Sequence, residues 1–298
     1  MPAEKMIVTE ETSAHPAVSA EDSSPLARFD TGIAHSARVY DYWLGGKDNF
    51  EADRIAARQV IEAQPGILFG VRANRAFLAR TVRYLAVECG IRQFLDIGTG
   101  IPTQSNTHEV AQFFAGESRV VYVDNDPIVL THARALLASG PHGATAYVDA
   151  DLRDPGAILA HAARTLDFEQ PVAIMLLLIL HLIPDEAGPY EIVARLIDAV
   201  PPGSHLVISH PASDIQASAS AEAARRYNQF VSTPQTRRSH AEVTRFFAGL
   251  DIAEPGIVQL HQWRPDPDTV APPDAISSHG GVGRKPGSPG RASGAGRG

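Results

Sequence analysis

Between residues 92 and 209 the chain alternates short apolar runs with longer stretches whose apolar residues recur at helical spacing. RQFLDI (92–97) and RVVYVD (119–124) have the length and apolar content of buried strands, and a third short strand ends near Val148. PVAIMLLLIL (171–180) is almost continuously apolar, as expected of a strand covered on both faces. SHLVIS (204–209) gives a fifth strand. Helices are expected between them. The first lies near Pro102–Ala115, with Pro102 in its first turn and Gly116 at its end. The others are Pro127–Ser139, closed by Gly140, then Pro155–Thr165 and Tyr190–Val200. Ser239 and Glu242 fit an S-x-x-E capping box for a helix that ends near Gly249. Ser36–Leu44 and Ala52–Arg83 read as helices, and Asp251–Trp263 as a closing hairpin pair.

This alternation predicts an α/β fold, a mostly parallel sheet with helices on both faces. Right-handed crossovers then place ligands at the carboxyl ends of the strands. The upstream helices, about residues 30–90, are expected to form a layer over that edge. Residues 1–24, rich in Ala, Ser, Glu and Thr, and residues 266–298, rich in Pro, Gly, Ser and Arg, are expected to be disordered. One domain, residues 25–265, remains.

Composition narrows the function. The 298 residues are 44% hydrophobic and 20% charged, which suits a soluble globular protein. A formal net charge of −8 argues against a nucleic-acid partner. The single cysteine, Cys89, excludes an internal disulfide and a Cys-rich zinc site, and no metal is expected. Residues 1–25 lack the apolar core of a signal peptide, and Val172–Leu180 is too short to span a bilayer. A cytoplasmic location without membrane partners is the expectation.

The chemistry points to the strand ends. Asp96-Ile97-Gly98-Thr99-Gly100 follows the first strand and precedes a helix. Glycines there let the backbone turn sharply and approach a ligand. The third glycine of a G-x-G-x-x-G fingerprint would fall at position 103, which is Thr103, and this disfavours an NAD-dependent oxidoreductase. Asp124 ends the second strand, where a carboxylate can accept from ribose hydroxyls. It could instead cap the helix at Pro127, although Asp126 is better placed for that. Asp151 and Leu152 follow the third strand. They offer a carboxylate for an adenine amino group and an amide for a ring nitrogen, or form a local turn.

Several segments carry a family resemblance: ARVYDYWLGGKDNF, ANRAFLARTVRYLA, GIRQFLDIGTGIPTQSNTHEVAQ, VVYVDNDPIVL, DADLRDP, LHLIPD, PGSHLVISH and EPGIVQLHQWRPD. Over about Arg28–Asp266 the chain resembles an actinobacterial family of S-adenosylmethionine (SAM)-dependent methyltransferases formerly known only as a domain of unknown function. The resemblance implies a Rossmann-like class I fold with a seven-stranded sheet. It also implies SAM as cofactor. Gly98 and Gly100 would lie under its methionine part and Asp96 would help place the amino group. Asp124 would take the ribose, and Asp151 with Leu152 the adenine, with Thr99 and Asn125 as further cofactor-binding residues. The methyl acceptor is expected to be a small molecule of unassigned identity.

Methyl transfer demands alignment first, and a base only if the nucleophile is protonated. His181 and His210, after the fourth and fifth strands, and Tyr40 are the candidates for that proton transfer, although histidines at a sheet edge can equally serve structure. No strong proton-transfer pair is visible, so a SAM-binding protein without turnover stays open. Tyr40–Phe50 mixes aromatics and polar groups around Gly45-Gly46 and reads as a hinged lid, or as a helix end with core aromatics. Tyr40, Lys47 and Asn49, with Arg72 beside Asn74 and Arg75 on the next helix, are the candidate contacts to the methyl acceptor.

Overall fold

The computed structural model describes residues 30–136, 139–270, 272 and 274–287; residues 1–24 and 288–298, expected to be disordered, lie outside the described residues. Helices α1 (Ser36–Trp43), α2 (Glu51–Ala63) and α3 (Ile67–Val87) precede the sheet. The continuous Ala52–Arg83 helix expected from sequence breaks at Gln64-Pro65-Gly66, because proline removes a helical donor and clashes with the preceding turn. Alternation then follows as expected: β1 (Gln93–Ile97), α4 (Thr107–Phe114), β2 (Arg119–Asp124), α5 (Pro127–Leu136), β3 (Ala144–Asp149), α6 (Pro155–Ala162), β4 (Ala173–Leu177), α7 (Pro189–Asp198) and β5 (His205–Pro211). Helices α8 (Ala217–Asn228) and α9 (His240–Arg245) lead to short strands β6 (Asp251–Ile252) and β7 (Val258–Gln259), and then to β8 (Ser278–Arg284).

Two boundaries moved for local reasons. Helix α4 starts at Thr107 rather than near Pro102, since the backbone N–H of Asn106 donates to Glu109 Oε2 at 2.8 Å and fixes the first turn there. Strand β4 ends early because Leu178 adopts a left-handed backbone, φ 50°, which turns the chain into a 3-10 turn at Leu180–Leu182.

The sheet order is β3-β2-β1-β4-β5-β8-β6, with β7 also on β8. The first five strands are parallel, and β8 runs antiparallel to β5 from His205↔Arg284 to Pro211↔Ser278. Strands β6 and β7 pair with successive stretches of β8, so the eight strands fill seven positions. One face buries Ile158, Leu196 and Val243 from α6, α7 and α9. The other buries Phe77 and Leu85 from α3, with Trp263 packed edge-on against Phe77 and Tyr84. A third cluster, including Val39, Val60 and Tyr227, joins α1 and α2 to α8.

Two expectations are overturned here. Segment 251–263 is not a hairpin, because β6 and β7 each pair with β8 and not with one another. Nor is the chain beyond Asp266 wholly disordered: 278–284 is a buried strand, so the folded domain runs past residue 265. Its sequence, SHGGVGR, offers little apolar surface, which is why it reads as linker. The burial comes from its neighbours. A Cβ on Gly280 would lie 2.5 Å from Leu260 Cδ2 and 3.0 Å from Phe77 Cζ, so glycine lets the core on the α3 face close over the backbone. Lys285 completes the junction by donating from Nζ to the carbonyls of Ile197 and Val200, at 2.9 Å each, at the end of α7.

Strand β5 also buries two histidines. Burial holds His205 down to about 4 and His210 down to about 3, against an ordinary 6.5. Both are neutral in the fold and gain protons on unfolding. Their contribution is therefore present in full above pH 6.5 and is lost as pH falls toward those folded values. Denaturant unfolding should show lower stability at pH 5 than at pH 7, with a shallower decline in His210→Gln; an equal slope would remove His210 as a cause. Gly280→Ala should cost about 1–3 kcal/mol by overpacking, and a chain ending at residue 270 should lose cooperative thermal unfolding. A truncated chain that melts like the intact one would show β8 to be dispensable.

Candidate functional site

Strand β1 has β2 on one side and β4 on the other, so the connections leaving β1 and β4 diverge and open a crevice at the carboxyl edge. The N-terminal helices and the segment after α8 roof it, and one cavity results. Its floor is the turn after β1. Gly98 has φ 75°, and a Cβ there would meet the Ile179 side chain at 2.5 Å. Its lack of a side chain serves the packing of the β4 connection. Gly100, at φ 66°, differs: a Cβ there would meet nothing within 4 Å, so the open cavity lies beside it. Thr99 turns its hydroxyl down onto the carbonyls of Asp96 and Val123, at 3.2 and 3.4 Å.

Three carboxylates reach the wall of the cavity among the described residues: Asp96, Asp124 and Asp151. Asp96 is buried on β1, accepts from Thr107 Oγ1 at 2.6 Å, and is pushed up to about 6 by burial. Asp124 ends β2 and accepts from the Gly100 amide through Oδ2 at 2.9 Å and from the Asp126 amide through Oδ1 at 3.0 Å. Burial raises its pKa, and those two amides oppose the rise. Asp126, not Asp124, receives the Ile128 amide at the start of α5, at 2.8 Å. Asp151 is held below the usual carboxylate range by its side-chain bond to Arg153, and also accepts from Asn125 Nδ2 at 3.2 Å. The Leu152 side chain is in the core. Its amide has no acceptor among the described residues.

The roof sorts the other candidates. Tyr40 and Trp43 of α1 line the cavity, as do Asn74 and Arg75 of α3. Ser209 Oγ donates to Asn74 Oδ1 at 2.6 Å, Asn74 Nδ2 donates to the Tyr40 hydroxyl at 3.0 Å, and that hydroxyl donates to the Val71 carbonyl at 3.2 Å. The Tyr40 phenol is thus engaged on both sides, and burial raises its pKa, so it is poorly placed to accept a proton. Lys47 and Arg72 are exposed and lie outside the cavity wall. Asn49 also lies outside it. Its Nδ2 donates to Asp41 Oδ2 at 2.8 Å, and the Asp48 amide donates to the same oxygen at 2.9 Å. The expected lid past Gly45 is therefore a helix end gathered round a carboxylate. A Cβ on Gly46 would collide with Asp41 Oδ1 at 1.9 Å, so that glycine accommodates the Asp41 carboxylate and is no hinge. Arg75, named in sequence only beside Arg72, holds the Gln104 and Ser105 carbonyls at 2.9 Å each, while its buried Nε has no partner among the described residues.

The two histidines part company. His210 lies behind the wall. Its Nδ1–H donates to the Pro211 carbonyl at 2.9 Å, and Nε2 accepts from Arg238 Nη1 at 3.0 Å, so both nitrogens are spent on structure. His181 lines the cavity, with Nδ1 buried and unpartnered among the described residues. Burial holds it well below its ordinary value, helped by neighbouring His210 and by the charges of Arg237 and Arg238, so it is neutral. Arg237, which no sequence signal marked, also reaches the wall. Among the described residues, no cluster of three or more His, Cys, Asp or Glu side chains suits a metal, and no helix is long and apolar enough to cross a membrane.

Known proteins share the sequence and fold of this chain. A profile of the S-adenosyl methyltransferase family matches residues 22–286. A crystal structure from Streptomyces avermitilis, described as a DUF574 family protein, is 48% identical over 86% of this chain and 99% of its own, with a TM-score of 0.82. A second, from Thermobifida fusca and provisionally designated a methyltransferase, is 42% identical over 90% of this chain and 100% of its own, with a TM-score of 0.79. No curated protein matches the chain. With the family profile spanning nearly the whole described fold, the chain belongs to the S-adenosyl methyltransferase family and is a Rossmann-like, SAM-dependent methyltransferase.

Proposed function

We propose that this protein methylates a small molecule bound in the cavity between the sheet edge and the N-terminal helices. The observation that carries the reading is Asp124. Each of its oxygens takes one backbone amide and keeps a lone pair at the cavity wall, so the carboxylate is fixed in place and still able to accept from a ribose diol. The other residues fit around it. Gly100 leaves the space beside the turn open. The free Leu152 amide, with Asn125 and Asp151 beside it, suits the adenine. The unpartnered Nε of Arg75 suits the methionine carboxylate, and Asp96 suits the amino group.

Bound SAM supplies a methyl group already activated on sulfonium sulfur. What remains for the chain is to exclude water and to aim the acceptor. Tyr40 and Trp43 close the roof, and the Ser209–Asn74–Tyr40 chain of hydrogen bonds fixes the angle of α1 to the sheet. His181, which lines the wall and is neutral, is the group able to take a proton from a hydroxyl or amine there.

In calorimetry, wild type should bind S-adenosylhomocysteine, and Asp124→Asn should weaken binding by about 1–3 kcal/mol. Asparagine keeps one acceptor for a turn amide, so the variant should fold. Unchanged affinity in it would remove the ribose assignment. Affinity should also fall as pH drops through about 6, where Asp96 protonates and ceases to attract an ammonium, and Asp96→Asn should flatten that profile; a flat wild-type profile would exclude that role. With methyl-labelled SAM and a metabolite fraction, label should enter the low-molecular-weight pool. Label found only in macromolecules would overturn the small-molecule reading.

A further inference from the structure

Arg237 and Arg238 are adjacent in sequence and opposite in circumstance. The Arg238 guanidinium is fully satisfied: it donates to the carbonyls of Leu180 and Ile183 at 2.9 and 2.8 Å, to His210 Nε2 at 3.0 Å, and to Asp185 Oδ1 at 2.7 Å. Among the described residues Arg237 makes one side-chain bond, from Nη1 to Gln64 Oε1 at 3.1 Å. Among the described residues its buried Nε has no partner, Nη2 meets no acceptor, and no carboxylate lies within ion-pair distance. Burial brings its pKa down to about 10, so it stays charged at neutral pH. A half-buried charge with a buried, unpartnered Nε and no counterion costs stability, and nothing in the described fold offsets this one.

The cavity shows where an offset can come from. Arg237 lines it beside His181 and near Ser232, Thr233 and Gln235, on the stretch that follows α8. The acidic residues of the wall, Asp96 on β1, Asp124 at the end of β2 and Asp151 just past β3, lie at the end assigned to the adenosine and methionine parts of SAM. Arg153 on the same wall is paired with Asp151, and Arg75 holds the Gln104 and Ser105 carbonyls, whereas Arg237, from the segment after α8, is the wall cation left in the region assigned to the methyl acceptor. The free edge of the guanidinium is the pair Nε and Nη2, the planar fork that matches a carboxylate with two parallel hydrogen bonds. Gln64, buried at the end of α2, holds Nη1 and fixes the plane of that fork.

We propose that the methyl acceptor is a carboxylic acid and that Arg237 binds its carboxylate. This rests on the reading of the cavity as a methyltransferase site. An anion on Arg237 also weakens part of the positive field that keeps His181 from protonating, so binding the substrate makes the base a better one.

The test uses protein saturated with S-adenosylhomocysteine, whose binding is measured first on each variant. If wild type fails to bind it, the methyltransferase site itself is wrong; the anion results then bear on Arg237 alone. Acetate, benzoate and phenylacetate are titrated against acetamide, benzamide and phenylacetamide, with inorganic phosphate as a further probe. At least one carboxylate should bind where its amide does not, and Arg237→Gln should weaken it about tenfold or more. In the empty protein, Arg237→Gln should leave Tm unchanged or raise it, whereas Arg238→Gln should lower Tm by about 5 °C or more. Carboxylates no better than amides, phosphate better than every carboxylate, carboxylate affinity surviving Arg237→Gln, or a Tm loss in Arg237→Gln equal to that in Arg238→Gln would each overturn the proposal.

Discussion

At the base of the crevice, before the connections leaving β1 and β4 diverge, Ile179 packs so closely on Gly98 that no side chain fits there, and the rest of the site follows from that contact. Ile179 occupies the place where a Cβ would stand, which seals the crevice below and makes a floor of the turn after β1. With the floor fixed, the Gly100 amide reaches the Asp124 carboxylate and clamps the end of β2 to the end of β1. On the other side, Leu178 takes an unfavourable left-handed backbone, and its amide bonds to the carbonyl and hydroxyl of Ser209 at 3.0 and 3.1 Å. Ser209 in turn begins the hydrogen-bonded chain through Asn74 to Tyr40. One steric constraint at the switch point thus reaches the roof through a continuous set of polar contacts.

The buried cations show which parts of the molecule are complete in themselves. Arg38 is held by Asp53, with Nε at 3.1 Å from the carboxylate, and Arg80 by the carbonyls of Trp263 and Leu260 at 2.8 and 2.7 Å. Both tie distant segments together, as Arg238 does. These guanidiniums have their counter-groups supplied by the fold, and they sit in structural junctions. Arg237 and the Nε of Arg75 are left incomplete, and both line the cavity. An unsatisfied donor in a folded protein carries a desolvation cost, and among these guanidiniums it falls on the two that line the cavity, where a ligand can remove it.

The chain itself determined the α/β alternation, because strands buried on both faces must be continuous apolar runs and the helices between them must carry an apolar stripe. It also marked the turn Gly98–Gly100 and the carboxylates Asp124 and Asp151, since each follows directly from a strand end. Strand β8 was invisible for the converse reason. Its glycines contribute no apolar signal, and its burial is supplied by Leu260, Phe77 and Phe247 from elsewhere in the chain. The break before α3 was legible in Pro65-Gly66, and the start of α4 in the pairing of Asn106 with Glu109, had the local rule been preferred to the apolar pattern.

What only the tertiary structure decided was which polar residues face the cavity. Lys47, Asn49 and Arg72 had the right chemistry and the wrong direction, whereas Asn74, Arg75, His181 and Arg237 come together from α3, the β4 connection and the segment after α8. Spacing along a chain fixes the face of a helix but not what that face meets. Adjacent residues such as Arg237 and Arg238 carry identical side chains and nearly identical sequence context. Only the packing of Asp185, His210 and two carbonyls around one of them satisfies its charge, and leaves the other for a ligand.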